Sequence, residues 1–284
     1  MNIALTGASG FIGRHLHAAL LAAGHTVRPL GRAQGVDFAH PAAHWAAQLQ
    51  GCTVLINTVG IIAEHGRQRF DTLHHRAACT LFDAAVQAGV ARVIQLSALG
   101  CEPGARSGYH RSKLAADTYL RRLPLAAAIL RPSLVYGPGS ASSASLMRLA
   151  RLPWLPLPGG GQQTVQPVHI SDLVACVLAL LAAPACSLTL DVVGPQAITL
   201  ADWLQAMRAA LGLPPATVWP LPLPLAMAAL HLGRHLHPLL QPDNLRMLQA
   251  SRAANPAPLA QWLGRPPRAH RPALFFSAGI DHES

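Results

Sequence analysis

The chain has 284 residues, 51% hydrophobic and 12% charged, which suits one large α/β domain or a domain with a smaller satellite and excludes intrinsic disorder. Its net charge of +10 comes from 12 acids against 22 bases, 21 of them Arg, with no run of four bases. With aromatics at only 5%, that balance argues against a nucleic-acid groove, which pairs a basic stripe with stacking rings.

Asn2 to Thr6 reads as a short buried strand. It runs into Thr6-Gly7-Ala8-Ser9-Gly10-Phe11-Ile12-Gly13 and then a helical pattern from Phe11 to Ala23. Glycines spaced three and three between a strand and a helix permit a tight turn, close approach of backbone N–H groups to a pyrophosphate, and close helix–strand packing. This loop is the expected dinucleotide-phosphate site, with Gly7, Ser9, Gly10, Phe11, Ile12, Gly13 and Arg14 as its cofactor-side residues.

The second strand, His25 to Leu30, ends at Gly31-Arg32 where an NAD-selective site would carry an acid. A small residue followed by a guanidinium suits a 2′-phosphate, so NADP(H) is expected over NAD(H), with Arg32 as the phosphate ligand and Ser9 and Arg14 adding contacts. A helix from Pro41 to Gln50, a strand from Thr53 to Thr58, a helix from Arg69 to Ala88 and a strand from Arg92 to Ser97 follow. Next come a helix from Tyr109 to Arg122 and a strand from Ala126 to Arg131. Such alternation implies right-handed crossovers and a doubly wound parallel sheet of Rossmann type.

Tyr109 and Lys113, the only lysine, stand four apart on one helix face with Ser112 between. An ammonium beside a phenol lowers its pKa and makes it a proton carrier, and the flexible Lys also reaches a ribose hydroxyl. Ser97, at the end of its strand, offers a hydroxyl to share a substrate oxygen; a strand-end residue bonding backbone is the alternative.

Beyond Pro132 the pattern loosens through Gly137 to Ser145, a short helix to Arg151 and a turn-rich Leu152 to Gly161. A helix from Ser171 to Leu181, a strand from Leu188 to Val193 and a Thr199-capped helix to Leu211 follow. Pro184 interrupts one long apolar stretch and five prolines from Pro214 to Pro224 interrupt another, so no spanning helix is expected. Leu225 to Leu240 reads either as a packed helix of the small region or as an interfacial or partner-binding one.

Five cysteines, Cys52, Cys79, Cys101, Cys176 and Cys186, show no CxxC or Cys/His ligand spacing, and the fifteen His are scattered. No metal site is expected. With no cleavable leader before the first strand, the setting reads as reducing and cytoplasmic, with a possible peripheral place at a membrane.

Thr6 to Gly13, Asn57-Thr58-Val59-Gly60, the strand ending in Ser97, Tyr109 to Lys113, Arg131 to Gly137 and Val168 to Asp172 together resemble the extended short-chain dehydrogenase/reductase superfamily, of epimerase/dehydratase type. Val59 to Ile62, Ser97 to Gly100 and Tyr109 to Lys113 are similar to the branch containing the NADPH-binding accessory subunit of respiratory complex I. The resemblance implies pyrophosphate at Gly7, Gly10 and Gly13, the adenosine side at Asn57 and Gly60, and the nicotinamide beside Tyr109, Lys113 and the segment from Pro132 to Val135. It departs where active members carry two or three Ser/Thr after the strand, since Ala98 and Leu99 follow Ser97.

The expected organisation is a cofactor domain over 1–136 completed by 165–195, with 137–164 and 196–284 as a small, mostly helical substrate or partner region. Two functions stay open. One is an oxidoreductase or epimerase/dehydratase moving hydride between nicotinamide and a carbonyl or alcohol, with Tyr109, Lys113 and Ser97 catalytic. The other is a non-catalytic cofactor-holding assembly factor of a membrane-associated complex.

Overall fold

A computed structural model describes residues 1–31, 42–66, 68–233, 241–270 and 272–275. The chain divides into two compact units, Met1–Pro132 with Val174–Asp191, and Ser133–Leu173 with Val192–Ser284.

The first unit begins with β1 (Asn2–Thr6), α1 (Phe11–Ala22), β2 (Thr26–Leu30), α2 (Ala42–Leu49) and β3 (Val54–Asn57). A π-helical turn, Asp71–Arg76, leads into α3 (Ala77–Gln87), and β4 (Arg92–Leu96), α4 (Gly108–Leu120) and β5 (Ala126–Pro132) follow. After an excursion into the second unit the chain returns through α6 (Ile170–Ala182) and β10 (Leu188–Val192), the elements between being described below. The strands form one sheet in the order β10-β5-β4-β3-β1-β2. Ile3 pairs with both Val27 and Val54, Val54 with Arg92, and Arg92 with Ala126, all parallel.

Every residue of β3 and β4 is buried, as a parallel sheet covered on both faces requires. One face is closed by Trp45, Leu49, Leu81, Phe82, Ala116 and Leu120 from α2, α3 and α4. The buried cation Arg92 is satisfied by carbonyls at the end of α6, those of Leu180 and Ala183, where the helix dipole favours positive charge. That helix stops at Ala182, two residues ahead of Pro184, which cannot continue it.

The second unit contains β6 (Val135–Tyr136), α5 (Ala141–Ala150), β7 (Trp154–Pro158), β8 (Thr164–Val165) and β9 (Val168–His169). Later come β11 (Ile198–Thr199), α7 (Leu200–Ala210), β12 (Thr217–Leu221), α8 (Leu223–Gly233), α9 (Pro242–Gln249) and α10 (Ala257–Leu263). Three two-stranded ladders, β6 with β9, β7 with β12 and β8 with β11, accompany the helices. The core is aromatic: Trp203 lies 5.0 Å from Tyr136 and 4.8 Å from Phe275 between ring centroids. The buried Asp172 accepts from Arg265 Nη2 at 2.6 Å and the Arg268 amide at 2.7 Å, so this acid is a structural anchor. Thr199 caps α7 as its sequence position demands, accepting from the Asp202 amide at 3.0 Å.

Three features differ from the sequence expectation. The first unit ends at Pro132 rather than at 136, and its return is Val174–Asp191 rather than 165–195. The cause is pairing: Val135 and Tyr136 pair with Val168 and His169, and Tyr136 buries in the second core. The turn-rich Leu152 to Gly161 and the proline-rich Pro214 to Pro224 each contain a strand, paired in parallel as Trp154 with Thr217 and Trp219 with Pro156. Prolines survive there because an isolated pair leaves outer backbone edges without partners to lose.

Candidate functional site

The carboxyl ends of β1 and β3 flank the point where the strand order reverses, the usual ligand position in an open parallel sheet. Gly7 follows β1 with φ +72°, and a Cβ there would sit 2.6 Å from Thr58 Oγ1. At Gly13 a Cβ would lie 2.1 Å from the Gly7 carbonyl oxygen, so the first turn of α1 packs on the loop with no room for a side chain. Gly10 is different. Its φ of −72° suits any residue, and a Cβ would meet only the Gly7 oxygen, at 3.2 Å. Gly7 and Gly13 shape the loop, whereas Gly10 is an exposed surface that stays bare.

Gly10 is the N-cap of α1, without a side-chain cap and without an acid in the first turn. The positive end of the helix dipole is therefore left for an outside anion. Ser9 and Arg14 are exposed, Phe11 and Ile12 half-buried. Arg32 lies outside the described residues.

Asn57 anchors the next loop. Buried at the end of β3, it accepts from Thr6 Oγ1 at 2.6 Å and from the Val59 amide at 3.2 Å, and donates to Gln95 Oε1 at 2.8 Å. Three of its bonds go to the protein, so it acts as a strut beneath the loop from Thr58 to Gly60. Thr58 Oγ1 adds a bond to the Thr6 carbonyl at 2.7 Å. The loop touches the phosphate turn on one side and α4 on the other. Thr58 limits Gly7, the Val59 carbonyl accepts from Lys113 Nζ at 3.3 Å, and a Cβ on Gly60 would lie 3.2 Å from that nitrogen.

Lys113 is buried, and its ammonium also donates to the Leu96 carbonyl at 2.8 Å. Burial holds its pKa below the ordinary lysine value. Tyr109, one turn earlier, is half-buried within an aromatic cage: His74 at 5.2 Å, His110 at 5.5 Å and Phe70 at 5.7 Å, all edge-on. Burial pushes the phenol well above the usual tyrosine range, with Cys101 and Asp117 adding in the same direction. This differs from the expectation that Lys113 lowers it. The ammonium points to the ends of β3 and β4, and desolvation of the ring governs instead.

The structure adds His74, Phe70 and Asp117 to the neighbourhood. His74 is buried on the π-helical turn. Its Nε2 accepts from the Ile61 amide at 2.9 Å, which fixes the proton on Nδ1, 3.0 Å from Ser112 Oγ. Ser112 then donates to the Tyr109 carbonyl at 2.8 Å. Burial, aided by the Lys113 charge, lowers the His74 pKa to about 2, so the ring is a neutral brace between loop and α4. The adjacent His75 hides this residue in the sequence, since periodicity does not say which of the pair faces inward.

Asp117, a turn beyond Lys113, is fully buried; Ser97 Oγ donates to its Oδ2 at 2.5 Å, and its Oδ1 has no hydrogen-bond partner among the described residues. Burial raises its pKa, opposed by the Ser97 bond and the Lys113 and Arg131 charges. The Ser97 hydroxyl proton thus points into the protein. Tyr109, Lys113 and Asp117 form a ladder at spacings of four, and the third rung was the available signal. Pro132 ends β5, its carbonyl accepting from the Leu99 amide at 2.9 Å. Val135 lies in β6 of the second unit, paired with Val168. Among the described residues no cluster of His, Cys, Asp or Glu could hold a metal, and no helix is long and apolar enough to cross a membrane.

A ceramide reductase of Caulobacter vibrioides is 31% identical over 201 residues, 66% of this chain and 62% of that protein. Mitochondrial NADH dehydrogenase [ubiquinone] 1 alpha subcomplex subunit 9 of Arabidopsis thaliana is 32% identical over 189 residues, 64% of this chain and 47% of its own length. The match therefore spans less than two thirds of either relative. Among solved structures, MoeE5 with UDP-glucuronic acid and NAD aligns over 97% of this chain and 96% of its own, with TM-score 0.72 and 19% identity. The dTDP-glucose 4,6-dehydratase DesIV of Streptomyces venezuelae, with NAD bound, aligns over 95% and 93%, with TM-score 0.70 and 21% identity. At such identity these two establish the fold alone. The sequence model of the NAD dependent epimerase/dehydratase family matches residues 3–192, from β1 to the end of β10, and the chain belongs to that family.

Proposed function

We propose that the protein is an NADP(H)-using oxidoreductase that reduces a carbonyl to an alcohol. The observation that carries this is the loop from Thr58 to Gly60, which joins the bare phosphate turn at Gly7 to Lys113 below Tyr109. A dinucleotide bound along that path would supply the hydride. The Gly10 cap and the α1 N-terminus would hold its pyrophosphate, and the guanidinium of Arg32 would pair with the 2′-phosphate. Lys113, already at the Val59 and Leu96 carbonyls, reaches a ribose hydroxyl. Tyr109 holds the proton at its hydroxyl oxygen and gives it to the carbonyl oxygen as negative charge develops there. Burial keeps that phenol protonated until an oxygen basic enough to take the proton develops beside it. The similarity to the Caulobacter ceramide reductase supports the reductive reading.

The test is consumption of NADPH by the purified chain with ketones from small to long-chain. Tyr109→Phe keeps the aromatic cage and is expected to retain NADPH affinity while turnover falls at least about a hundredfold. Turnover by Tyr109→Phe at the parent rate refutes the assignment. One observation favours a second reading, a cofactor-holding component of a membrane-associated assembly: the Ser97 hydroxyl donates its hydrogen bond to Asp117, and Ala98 and Leu99 follow it. The similarity to the plant subunit accords with that role. Tight retention of NADPH with no ketone reduced would select it.

A further inference from the structure

The second unit carries an apolar surface that its own core does not use. In β7 the side chains alternate, Leu155 and Leu157 buried and Trp154 and Pro156 exposed. The register with β12 places Thr217 beside Trp154 and Trp219 beside Pro156, so both indoles stand on the outward face of the ladder. Trp154 is 61% exposed and Trp219 65%, an unusual state for the most costly apolar side chains to hydrate.

Two residues after Trp219 and Pro220, the chain passes Pro222 into α8, whose sequence Leu-Pro-Leu-Ala-Met-Ala-Ala-Leu-His-Leu-Gly has no charged residue. A helix this apolar belongs in a core. Yet Ala226 is its one buried described side chain, Met227 and Leu230 are half-buried, and Leu223, Leu225 and Leu232 are exposed, Leu232 by 85%. Leu223 reaches the glycines that follow β7, its Cδ2 3.8 Å from where a Gly159 Cβ would be, so helix and ladder adjoin.

Exposed arginines lead into this surface. Arg148 and Arg151 are exposed on α5 and at its end, and Leu152, Pro153 and Trp154 follow directly. No Asp or Glu occurs between Asp202 and Asp243, a span holding both β12 and α8. Arg208, within it, is buried on backbone carbonyls and does not contribute to the surface. Indoles prefer the boundary between hydrocarbon and water, exposed leucines insert, and flanking guanidinium groups pair with lipid phosphates. Since no described helix crosses a bilayer, the contact is peripheral. We propose that Trp154, Trp219 and α8 form a docking surface for an anionic membrane, with Arg148 and Arg151 at its rim. This does not depend on turnover at Tyr109, and its failure leaves the oxidoreductase reading untouched.

The full-length chain is floated with vesicles of phosphatidylcholine alone and of phosphatidylcholine mixed with phosphatidylglycerol, at low and high salt. Binding to the anionic vesicles is expected to exceed binding to the neutral ones about tenfold at low salt and to fall at high salt. The pair Trp154→Ser with Trp219→Ser removes exposed groups only, so the melting temperature and NADPH affinity should stay as in the parent while flotation drops about tenfold. Leu225→Glu with Leu232→Glu, also at exposed sites, should abolish flotation without unfolding. Absence of the parent from floated anionic vesicles overturns the proposal, as does undiminished flotation of both double variants. A vesicle-free oligomer dispersed by the Trp substitutions, with no flotation, would overturn it too and assign the face to a second copy of the chain.

Discussion

Two glycine substitutions separate the shape of the phosphate loop from its use. A Cβ at Gly10 meets only the Gly7 oxygen at 3.2 Å, and the backbone there, φ −72° and ψ 170°, accepts β-branched residues. Gly10→Val is therefore expected to change folding stability by no more than about 1 kcal/mol. Its isopropyl group would occupy the space at the α1 cap that a pyrophosphate must enter. Losing one charge-assisted bond from a backbone N–H is worth about 1.5–3 kcal/mol, which raises the NADPH Kd about tenfold to a hundredfold. Gly13→Ala does the reverse. Its Cβ would lie 2.1 Å from the Gly7 oxygen and 2.8 Å from Ala8 Cα, both backbone atoms, so loop and helix must part. That overpacking costs about 1–3 kcal/mol and should lower Tm by several degrees. Calorimetric titration with NADPH, alongside thermal melts, measures both. A Gly10→Val protein that binds as tightly as its parent refutes a pyrophosphate position at the α1 cap.

His74→Gln tests the brace. Because the folded pKa of about 2 lies below the unfolded value, the parent has this contribution in full above about pH 6.5 and loses about 2 kcal/mol of it by about pH 5; urea unfolding should show a shallower acid loss in the variant, and equal slopes would contradict it. Ser97→Ala removes the partner of Asp117 Oδ2 and should cost about 1–3 kcal/mol of stability while any kcat changes less than about tenfold; a hundredfold fall in kcat at unchanged Tm would make Ser97 a catalytic donor. Arg32→Ala should weaken NADPH about tenfold and leave NADH as it was, read by titration at fixed salt; an unchanged ratio removes Arg32 as the 2′-phosphate ligand.

The elements that sequence revealed best are those in which local pattern and tertiary role agree. In β1, β3 and β4 the buried runs are apolar because both faces of the sheet are covered, and the glycines of the first loop sit where the backbone needs them. Thr199 was legible as a cap for the same reason. Position in three dimensions was not. The resemblance places Asn57 near the adenosine, but the sequence does not show that its carbonyl accepts from Thr6 and Val59 and one of its N–H groups donates to Gln95, partners 51, 2 and 38 residues away along the chain. The ladder of β7 and β12 was hidden by prolines that deny the usual strand signature, and its partners are 63 positions apart, Trp154 with Thr217. The direction in which Ser97 turns its proton depends on Asp117, a contact between strand end and helix that no local pattern specifies.

The proton states around Tyr109 share one cause, and it bears on any proton transfer there. Burial is the largest influence on Tyr109, Asp117, Cys101 and His74, and in each it favours the uncharged form. Lys113 is moved the same way, though carbonyls of Leu96 and Val59 receive its hydrogens. A phenol in such surroundings stays protonated until an oxygen acquires alkoxide charge, and an alkoxide is basic enough to take that proton. The phenolate left behind is opposed by the same desolvation, with Asp117 and Cys101 adding to it. Burial therefore sets the cost of the proton transfer in both directions alike. Ser97 does not alter that cost, since its proton is directed to Asp117 rather than toward a reacting oxygen. Proton delivery in the proposed reaction rests on Tyr109.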